Sequence, residues 1–291
     1  MNTIKGREYR PQPGGTAYYA SMVYQSLGLR TAAVTCVASE DEQELLSELR
    51  TNGTEVFNLP TGTTTVFHNF YAAENPDVRM QSVTSVARTI LLTELPSISS
   101  RIYHLGPLTQ GDIEPSIARH CANSGGLVAV DVQGLIRDVV DENVVSRTSR
   151  HAWEQLRYVH VLKADIDEIL TLTREPNVFE AVKAVGRTGV GEVVITKGSR
   201  GSTVFGRSRS VSFEAIPPRA TVDTTGCGDT YLAAYMASRL RTDSLEESAK
   251  YGALAASLNM ESFGPFRGTQ EDIQERWSEF CGAGDSLLHL P

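Results

Sequence analysis

Short, β-branched apolar runs alternate with helical patterns along most of this 291-residue chain, and this alternation restricts the possible fold more than any other feature. Four runs are bounded by turn residues and have the composition of strands buried on both faces. They are RIYHLG (101–106), GLVAVDV (126–132), YVHVLKA (158–164) and GEVVITKG (191–198). Strands of this kind separated by helices favour a doubly wound, mainly parallel α/β sheet flanked by helices.

The helical patterns can be located from apolar spacing and from glycine stops. TAYYASMVYQSLG (16–28) and EDEQELLSELRTNG (40–53) each place apolar residues at helical spacing and end at a glycine, with a short β-like run, TAAVTCVA (31–38), between them. After Thr225 the chain is mainly helical. We therefore expect a single α/β domain over residues 1–291.

Residues 61–86 depart from this alternation. They are rich in Thr, Val and aromatic residues and are interrupted by Asn75-Pro76, a pattern typical of a β-hairpin. We expect a small β lid on the α/β core. Such a hairpin would expose four large apolar side chains: Val66, Phe67, Phe70 and Tyr71. Because a lone flap tolerates little exposed apolar surface, we expect two lids to pair in a homodimer.

Composition is ordinary for a globular protein, at 41% hydrophobic and 21% charged residues. The formal net charge of -8 argues against nucleic acid or an anionic membrane as the main partner. No apolar run approaches the ~18 residues of a membrane span, and the first residues lack the apolar stretch of a signal peptide. The cysteines show no CxxC spacing, so reduced thiols in a cytoplasm are the simple interpretation. They are Cys36, Cys121, Cys227 and Cys281.

The stretch VDTTGCGDTYLAAYM (222–236) places a turn of small residues directly before a helical pattern. Backbone N–H groups of such a turn point at one spot with the positive helix end behind them, which predicts an anion site with Asp229 at its entrance. An ordinary helix-capping turn is the alternative. A similar turn at 282–285 is followed only by SLLHLP, which is too short for a useful helix.

Several stretches resemble the ribokinase-like carbohydrate kinases, the PfkB family. DTTGCGD resembles the family signature DTxGAGD, with Cys227 in place of alanine, and Gly14-Gly15 is similar to the early GG motif. TTTVFHNFY resembles the family lid. KADIDE (163–168) resembles the NxxE element with Asp165 for asparagine, and TKGSRG (196–201) resembles the nucleotide-binding turn. These elements occur in family order over nearly the whole chain.

The resemblance implies an ATP-dependent phosphoryl transfer. Asp229 would accept the proton of the substrate hydroxyl, and the N–H groups of Gly226, Cys227 and Gly228 would hold the transferring phosphoryl oxygens. The backbone binds the oxygens, so cysteine should replace alanine without loss. The Cys227 thiol would have either a lowered pKa at the helix N-terminus or the inert character of a buried side chain.

The implied cofactors are ATP and Mg²⁺. Asp165 and Glu168 would order Mg²⁺ and its waters, with Glu168 acting indirectly, and two acids in the first turn of a helix are the alternative. Asp223 would shape the loop or face a monovalent cation such as K⁺. Three residues would line the nucleotide site, a plain β-turn being the alternative: Thr196, Gly198 and Gly201.

The resemblance also bears on the substrate. Tyr19 occupies the position of the asparagine in the family's GGxxxN element, while DVQGLIR (131–137) and SFGPFR (262–267) resemble the inositol-kinase-like branch. A cyclitol such as myo-inositol is favoured over ribose or fructose, with a furanose sugar or a nucleoside as alternatives. The implied substrate-binding residues are Gly14, Gly15, Tyr19, Gln133, Arg137 and Asp229. A polar loop after a strand is the alternative for Gln133 and Arg137.

One family feature is not found. Family members begin with a strand and a Gly-x-x-x-Asp turn, whereas this sequence reaches its GG motif at Gly14, so we expect a central strand and one hydroxyl ligand to be absent. The intact Asp229 turn favours an active kinase of a small polyol. The early GG motif, Tyr19 and Asp165 favour the alternative, a catalytically silent relative that binds nucleotide or polyol. A nucleotide-dependent oxidoreductase is a weaker third candidate, since no GxGxxG is present.

Overall fold

The computed structural model describes residues 2–4, 7–8, 12–71 and 79–281, so the turn at 282–285 lies outside the described residues. The strands, in chain order, are β1 (Asn2–Ile4), β2 (Arg7–Glu8), β3 (Ala32–Thr35), β4 (Glu55–Asn58), β5 (Val66–Tyr71), β6 (Arg79–Ser85), β7 (Ile102–Leu105), β8 (Leu127–Asp131), β9 (Arg137–Val140), β10 (Asn143–Ser146), β11 (Val161–Asp165), β12 (Glu192–Thr196), β13 (Ser202–Phe205) and β14 (Ser210–Phe213). The helices are α1 (Gly15–Ser26), α2 (Glu42–Thr51), α3 (Ser116–Asn123), α4 (Val132–Ile136), α5 (Arg150–Leu156), α6 (Ile166–Thr173), α7 (Val178–Gly186), α8 (Cys227–Arg239), α9 (Leu245–Asn259) and α10 (Gln270–Cys281).

The central sheet confirms the predicted α/β architecture. Its six strands lie in the order β14-β13-β12-β11-β8-β7. The four strands predicted from their β-branched runs, β7, β8, β11 and β12, are parallel neighbours. β13 and β14 add an antiparallel hairpin at one edge, which the sequence analysis did not predict. The carboxyl ends of the parallel strands lie along one edge of the sheet, where open α/β proteins place their ligand sites.

Helices cover both faces of this sheet. On β8, Val128 and Val130 contact a core formed with α3, α5, α6 and α7, whereas Ala129 contacts a core formed with α1, α8, α9 and α10. On β12, Val193 and Val194 divide between the two cores in the same way. Successive residues of a strand point to opposite faces, so a sheet buried on both faces requires continuously apolar strands.

The predicted helices at the start of the chain are confirmed, with small shifts at their ends. α1 covers Gly15–Ser26 where 16–28 was predicted, and α2 covers Glu42–Thr51 where 40–53 was predicted. Each helix ends just before a glycine in the left-handed region, Gly28 at φ 78° and Gly53 at φ 90°. Glycine adopts this conformation without a Cβ clash, which explains why both helices end there.

β3 and β4 form a separate, parallel two-stranded sheet. In the described part of the chain β3 is not paired with β7, and all residues of both strands, Ala32–Thr35 and Ile102–Leu105, line one cavity. The cavity therefore occupies a gap between β3 and β7. The predicted absence of a central strand stays a prediction.

The lid is larger than the hairpin predicted from residues 61–86. β5 and β6 are antiparallel as expected, but they belong to a six-stranded sheet in the order β2-β1-β5-β6-β10-β9. The segment after DVQGLIR therefore contributes two strands to the lid, and the lid strand β9 begins at Arg137. Arg137 was predicted as a substrate-binding residue, and its place at the start of a lid strand was not predicted.

The predicted exposure of the lid's apolar residues is wrong for the two whose side chains are described. Val66 and Phe67 are both half-buried. The guanidinium carbon of Arg137 lies 5.9 Å from the centre of the Phe67 ring, a cation–π arrangement that covers part of the lid. The side chains of Phe70 and Tyr71 lie outside the described residues, and pairing of two lids in a homodimer stays a prediction.

Candidate active site

The carboxyl ends of β8, β11 and β12 and the N-termini of α1 and α8 border one cavity of about 2010 Å³. Small-molecule sites are commonly about 300–1,000 Å³. This cavity is larger because it continues from the strand ends into the gap between β3 and β7. The part that matters for chemistry is the end where the strands and helices meet.

Most of the predicted site residues line this cavity. They are Gly14, Gly15, Tyr19, Gln133, Arg137, Asp165, Glu168, Thr196, Gly226, Cys227, Gly228 and Asp229. Residues from the start, the middle and the end of the chain thus share one chamber. Gly198, Gly201 and Asp223 do not line it.

The turn before α8 has the backbone expected of an anion site. Gly226 is the N-cap residue in the left-handed region, at φ 76°, and its carbonyl accepts the N–H of Thr230 at 2.8 Å. The first N–H groups of a helix have no partner within the helix. The N–H of Cys227 reaches the Thr224 carbonyl at the long distance of 3.4 Å. This is the backbone geometry that the predicted anion site requires, and the binding of phosphoryl oxygens there stays a prediction.

Tyr19 explains why residue 226 is a glycine. A Cβ added at Gly226 would lie 2.2 Å from Cδ1 of the Tyr19 ring. Tyr19 is 5% exposed and packs edge-on against Tyr18, so the ring cannot retreat easily. Tyr19, predicted to stand in place of a substrate-binding asparagine, therefore lines the cavity and also contacts the turn predicted to bind an anion. This turn, Gly226, Cys227 and Gly228, is called the anion turn below.

Asp229, the predicted base, lies in the first turn of α8, and its Oδ1 accepts a hydrogen bond from the Thr16 hydroxyl at 2.5 Å. Burial and the nearby Asp131 carboxylate raise the pKa of Asp229 to about 6, although Thr16, Lys163 and Arg137 lower it. A carboxylate with a pKa near neutrality suits proton transfer at physiological pH. Thr16 was not predicted, and its only sequence signal is a hydroxyl residue directly after the GG motif.

Lys163 is a buried cation in the wall of the site. Its Nζ donates to Asp131 Oδ2 at 2.8 Å and lies 4.0 Å from Glu168 Oε2. A Cβ added at Gly228 would lie only 2.9 Å from this Nζ, so the ammonium group touches the anion turn. Burial alone would lower the pKa of Lys163, but the Asp131 and Glu168 carboxylates raise the pKa by more than burial lowers it. The net pKa lies above its ordinary value, so the amine stays charged. A lysine inside the apolar run YVHVLKA was the available signal.

Asp165 and Glu168 form a capping box at the start of α6. This is the structure expected from the alternative to a Mg²⁺ role, two acids in the first turn of a helix. Asp165 Oδ1 accepts the Glu168 N–H at 2.7 Å, and Glu168 Oε2 accepts the Asp165 N–H at 2.8 Å. Burial raises the pKa of Glu168 to about 7, while Lys163 lowers it. The Glu168 carboxylate is thus already bound to backbone and adjacent to a cation.

The fit to Mg²⁺ can be tested on these donors. Among the described residues no group of three or more His, Cys, Asp or Glu side chains could hold a metal ion. Mg²⁺ in kinase-type sites usually takes one or two carboxylates and completes its shell with water and substrate phosphates. Asp165 and Glu168 at the cavity wall fit that mode of binding, which needs no cage made of protein alone.

The Cys227 side chain is inert. Burial raises the pKa of its thiol to about 11, so the helix N-terminus does not produce a reactive thiolate. Its Sγ lies 3.9 Å from the Ala256 carbonyl, and Asn259 Nδ2 lies 3.6 Å from the sulfur. The side chain is half-buried, and the raised pKa favours the expectation of an unreactive thiol.

Gln133 and Arg137 belong to the strand-to-lid connection. Asp131 ends β8 and caps α4, with Oδ1 accepting the Gln133 N–H at 3.0 Å while Oδ2 binds Lys163. Arg137 is 8% exposed and begins the lid strand β9. Both residues line the cavity, and their predicted role toward the substrate stays a prediction.

The residues that do not reach the cavity have local structural roles. Gly198 opens a short 3₁₀ turn, and Gly201, at φ 79°, would place a Cβ 2.1 Å from the Phe213 carbonyl oxygen. Asp223 Oδ1 accepts the Thr225 N–H at 2.9 Å and so braces the loop before α8. Their predicted roles toward nucleotide and monovalent cation stay predictions, as does that of Thr196. Among the described helices, none is both long and apolar enough to cross a membrane.

Comparison with known proteins gives a consistent class. Ribokinase of Arabidopsis thaliana is 29% identical over 152 residues, which is 50% of this chain but only 37% of that relative. A pyrophosphate-dependent kinase of the ribokinase family, in a sulfate complex, superposes with a TM-score of 0.83 at 26% identity, covering 94% of this chain and 95% of the other. A complex with a pyrophosphate analog and myo-inositol gives 0.82 at 25% identity, covering 94% and 95%.

The fold is that of the ribokinase-like kinases, enzymes that transfer a phosphoryl group to an alcohol. The family description "pfkB family carbohydrate kinase" matches residues 117–272, more than half of the sequence, and the chain belongs to that family.

Proposed function

We propose that this protein phosphorylates a hydroxyl group of a small polyol. Asp229 would act as the general base, and the turn of Gly226, Cys227 and Gly228 as the anion hole. The observation that carries the proposal is the position of Asp229: it lies in the first turn of α8, in the cavity, with a pKa raised by burial to about 6. A base and an anion site on the same helical turn match the two needs of phosphoryl transfer.

The chain's own residues would divide the work as follows. The substrate hydroxyl would give its proton to Asp229 as its oxygen attacks the donor phosphorus. The N–H groups of the turn would hold the phosphoryl oxygens, and Lys163, fixed by Asp131, would supply positive charge beneath Gly228. Mg²⁺, when bound, would neutralise charge on the donor phosphates, with Asp165 and Glu168 holding the ion or its waters.

ATP is the donor expected for this family. Pyrophosphate is a second candidate, supported by the two pyrophosphate-dependent kinase structures that superpose with TM-scores of 0.83 and 0.82. Both donors present the same chemistry to the anion turn, a terminal phosphoryl group with a phosphate leaving group. Donor choice would depend on contacts beyond the phosphates, which the positions of Gly198, Gly201 and Thr196 do not decide.

On the acceptor side we propose a cyclitol such as myo-inositol. The support is the DVQGLIR stretch, which carries Gln133 and Arg137 into the cavity, and the myo-inositol complex among the similar structures. A furanose sugar or a nucleoside is the alternative acceptor, since the relatives include a ribokinase over half of this chain and a nucleoside kinase over 86% of it.

The test is phosphoryl transfer to a panel of myo-inositol, ribose, fructose and adenosine with Mg²⁺. ADP release would be measured with ATP, and the phosphorylated product by mass spectrometry with pyrophosphate. We expect turnover with one acceptor class and its loss in Asp229→Asn. Unchanged turnover in that variant would remove Asp229 as the base. Binding of donor or polyol without any turnover would support the silent relative instead.

A further inference from the structure

Thr16 connects the two helices that meet at the site. It lies in the first turn of α1, 213 residues from Asp229 in sequence, yet its hydroxyl donates to Asp229 Oδ1 at 2.5 Å. Thr16 is 7% exposed. In the described part of the chain, Asp229 Oδ2 accepts no hydrogen bond. The carboxylate thus has one oxygen engaged by the protein and one available to the cavity.

The position of Thr16 is fixed by its surroundings. A Cβ added at Gly106, just after β7, would lie 2.0 Å from the Cβ of Thr16, so the backbone at Gly106 presses directly on the threonine. Gly15, at φ 76°, sets the start of α1 against Leu108. The hydroxyl therefore approaches Asp229 from a rigid support, as a group that orients a catalytic side chain must.

The charged and titratable groups facing Asp229 come from three other elements and from its own helix. Asp131 at the end of β8 raises the pKa of Asp229, whereas Lys163 on β11 and Arg137 at the start of β9 lower it. Cys227, at the start of α8, is uncharged at neutral pH because burial raises its pKa to about 11. Thr16 is the neutral donor in this set, and a donor to a carboxylate stabilises its ionised form.

We propose that Thr16 is a positioning residue for the catalytic base: its hydroxyl holds Oδ1 of Asp229 and leaves Oδ2 to accept the proton of the substrate. The inference rests on the proposed function of Asp229 as the base. It assigns to the residue after the GG motif the task of orienting the base, in addition to the substrate contacts predicted for the two glycines.

Two variants of nearly the same size separate this role from simple packing. Thr16→Val removes the hydroxyl and keeps the shape that Gly106 requires, while Thr16→Ser keeps the hydroxyl. In Thr16→Val we expect the acid limb of the kcat/KM profile to move up by about one pH unit, because the variant lacks the donor that favours the ionised form of Asp229. A shift of one unit is about a tenfold change in the ionised fraction at pH values well below the pKa. Activity at pH 6 should fall about fivefold and recover largely by pH 9, and Thr16→Ser should stay within about twofold of wild type.

A second measurement needs no turnover. The pKa of Asp229 can be followed by NMR of the ¹³C-labelled carboxylate, assigned by its disappearance in Asp229→Asn. A pKa of Asp229 that is raised in Thr16→Val and has its wild-type value in Thr16→Ser would support the proposal, even if no acceptor in the panel is phosphorylated. The absence of phosphorylation would count only against the proposed function. An unchanged pKa in a folded Thr16→Val, or a loss of activity equal at all pH values, would overturn the proposal. Thr16→Ala replaces Thr16→Val if the valine variant does not fold.

Discussion

At the scale of single residues, Lys163 and Asp131 form a buried ion pair beside the turn of Gly226, Cys227 and Gly228. Both side chains are buried, and the Lys163 ammonium touches the anion turn at Gly228. Burying two charges costs solvation free energy that their attraction only partly offsets, so a buried pair is weak evidence for a purely stabilising role. Under the proposed function, the Lys163 ammonium group would lie next to the transferred phosphoryl group and stabilise its negative charge.

We predict that removing both charges of the Lys163–Asp131 pair keeps the protein folded but lowers its catalytic rate. Lys163→Met alone leaves Asp131 buried without its partner and should lower the free energy of unfolding by about 3–5 kcal/mol. The double variant Lys163→Met/Asp131→Asn should fold with near wild-type stability, because neither charge remains. Its kcat should still fall about 10²–10³-fold, as expected for loss of a charge at the transition state. Urea unfolding and steady-state kinetics would measure both; wild-type kcat in the folded double variant would contradict the role.

Asp229 provides a prediction about stability and pH. Its folded-state pKa, about 6, lies above the ordinary value of 3.8 chiefly because of burial. A carboxyl group with a raised folded pKa takes up protons more readily when folded, so its ionisation removes stability as pH rises through this window. Asp229→Asn cannot ionise, and Thr16 can still donate to its side-chain oxygen. We expect the variant to be more stable than wild type by about 1–3 kcal/mol at pH 8 and equal to it near pH 4.

The measurement is thermal unfolding of wild type and Asp229→Asn at several pH values. Glu168 adds its own pH-dependent contribution to the stability of both proteins, since burial also raises its pKa, to about 7. Comparing the two proteins at each pH cancels that contribution. A stability difference that does not change between pH 4 and pH 8 would show that the carboxylate is not strained by burial.

At the scale of elements, the turn before α8 contains one position whose geometry requires glycine, followed by Cys227. Gly226 lies in the left-handed region at φ 76°, and a Cβ there would meet the Tyr19 ring at 2.2 Å. Cys227 contributes only its backbone to the predicted anion hole, and its buried thiol has a raised pKa. The two positions should therefore respond in opposite ways to the same substitution.

We predict that Gly226→Ala destabilises the protein by about 1–3 kcal/mol and abolishes most activity, because both strain and steric overlap act on the turn. Cys227→Ala should keep kcat within about twofold and be insensitive to thiol reagents. Kinetics and thermal unfolding of both variants make the comparison. Strong loss of activity in Cys227→Ala would show that the sulfur takes part in the reaction.

At the scale of the whole molecule, the division of the strands into separate sheets sets unequal local stability. β8 lies inside the six-stranded sheet with strands on both sides, whereas β3 and β4, within the described residues, pair only with each other. A two-stranded unit has few interstrand hydrogen bonds, and one edge of β3 borders the cavity. Elements of this kind open at lower free energy than the central strands.

We predict that native-state hydrogen exchange will show this difference. Amides of Ala32–Thr35 and Glu55–Asn58 should exchange at least about tenfold faster than those of Leu127–Asp131 under the same conditions. α2, which packs on the two-stranded sheet, should follow β3 and β4 rather than the central sheet. Equal protection of all three strands would mean that the molecule opens as one unit and that the gap has no energetic consequence.

The sequence alone determined the features that depend on local patterns. The four parallel strands follow from their unbroken apolar runs, because each must be buried on both faces. The turn before α8 follows from Gly226 and Gly228 placed before a helical run, since backbone conformation is set within a few residues. The family itself could be predicted in the same way, from short stretches in a fixed order, and the match to residues 117–272 confirms it.

Only the tertiary structure decided which side chains meet. Thr16 and Asp229 are 213 residues apart, and Lys163 and Asp131 are 32 apart, so no local pattern shows either contact. The same reason explains the expectations that failed: Phe67 is half-buried because it lies beside Arg137. The charge of a carboxyl group and the reactivity of a thiol depend on burial and on neighbours brought from elsewhere in the chain. Those quantities exist only once the strands and helices have packed.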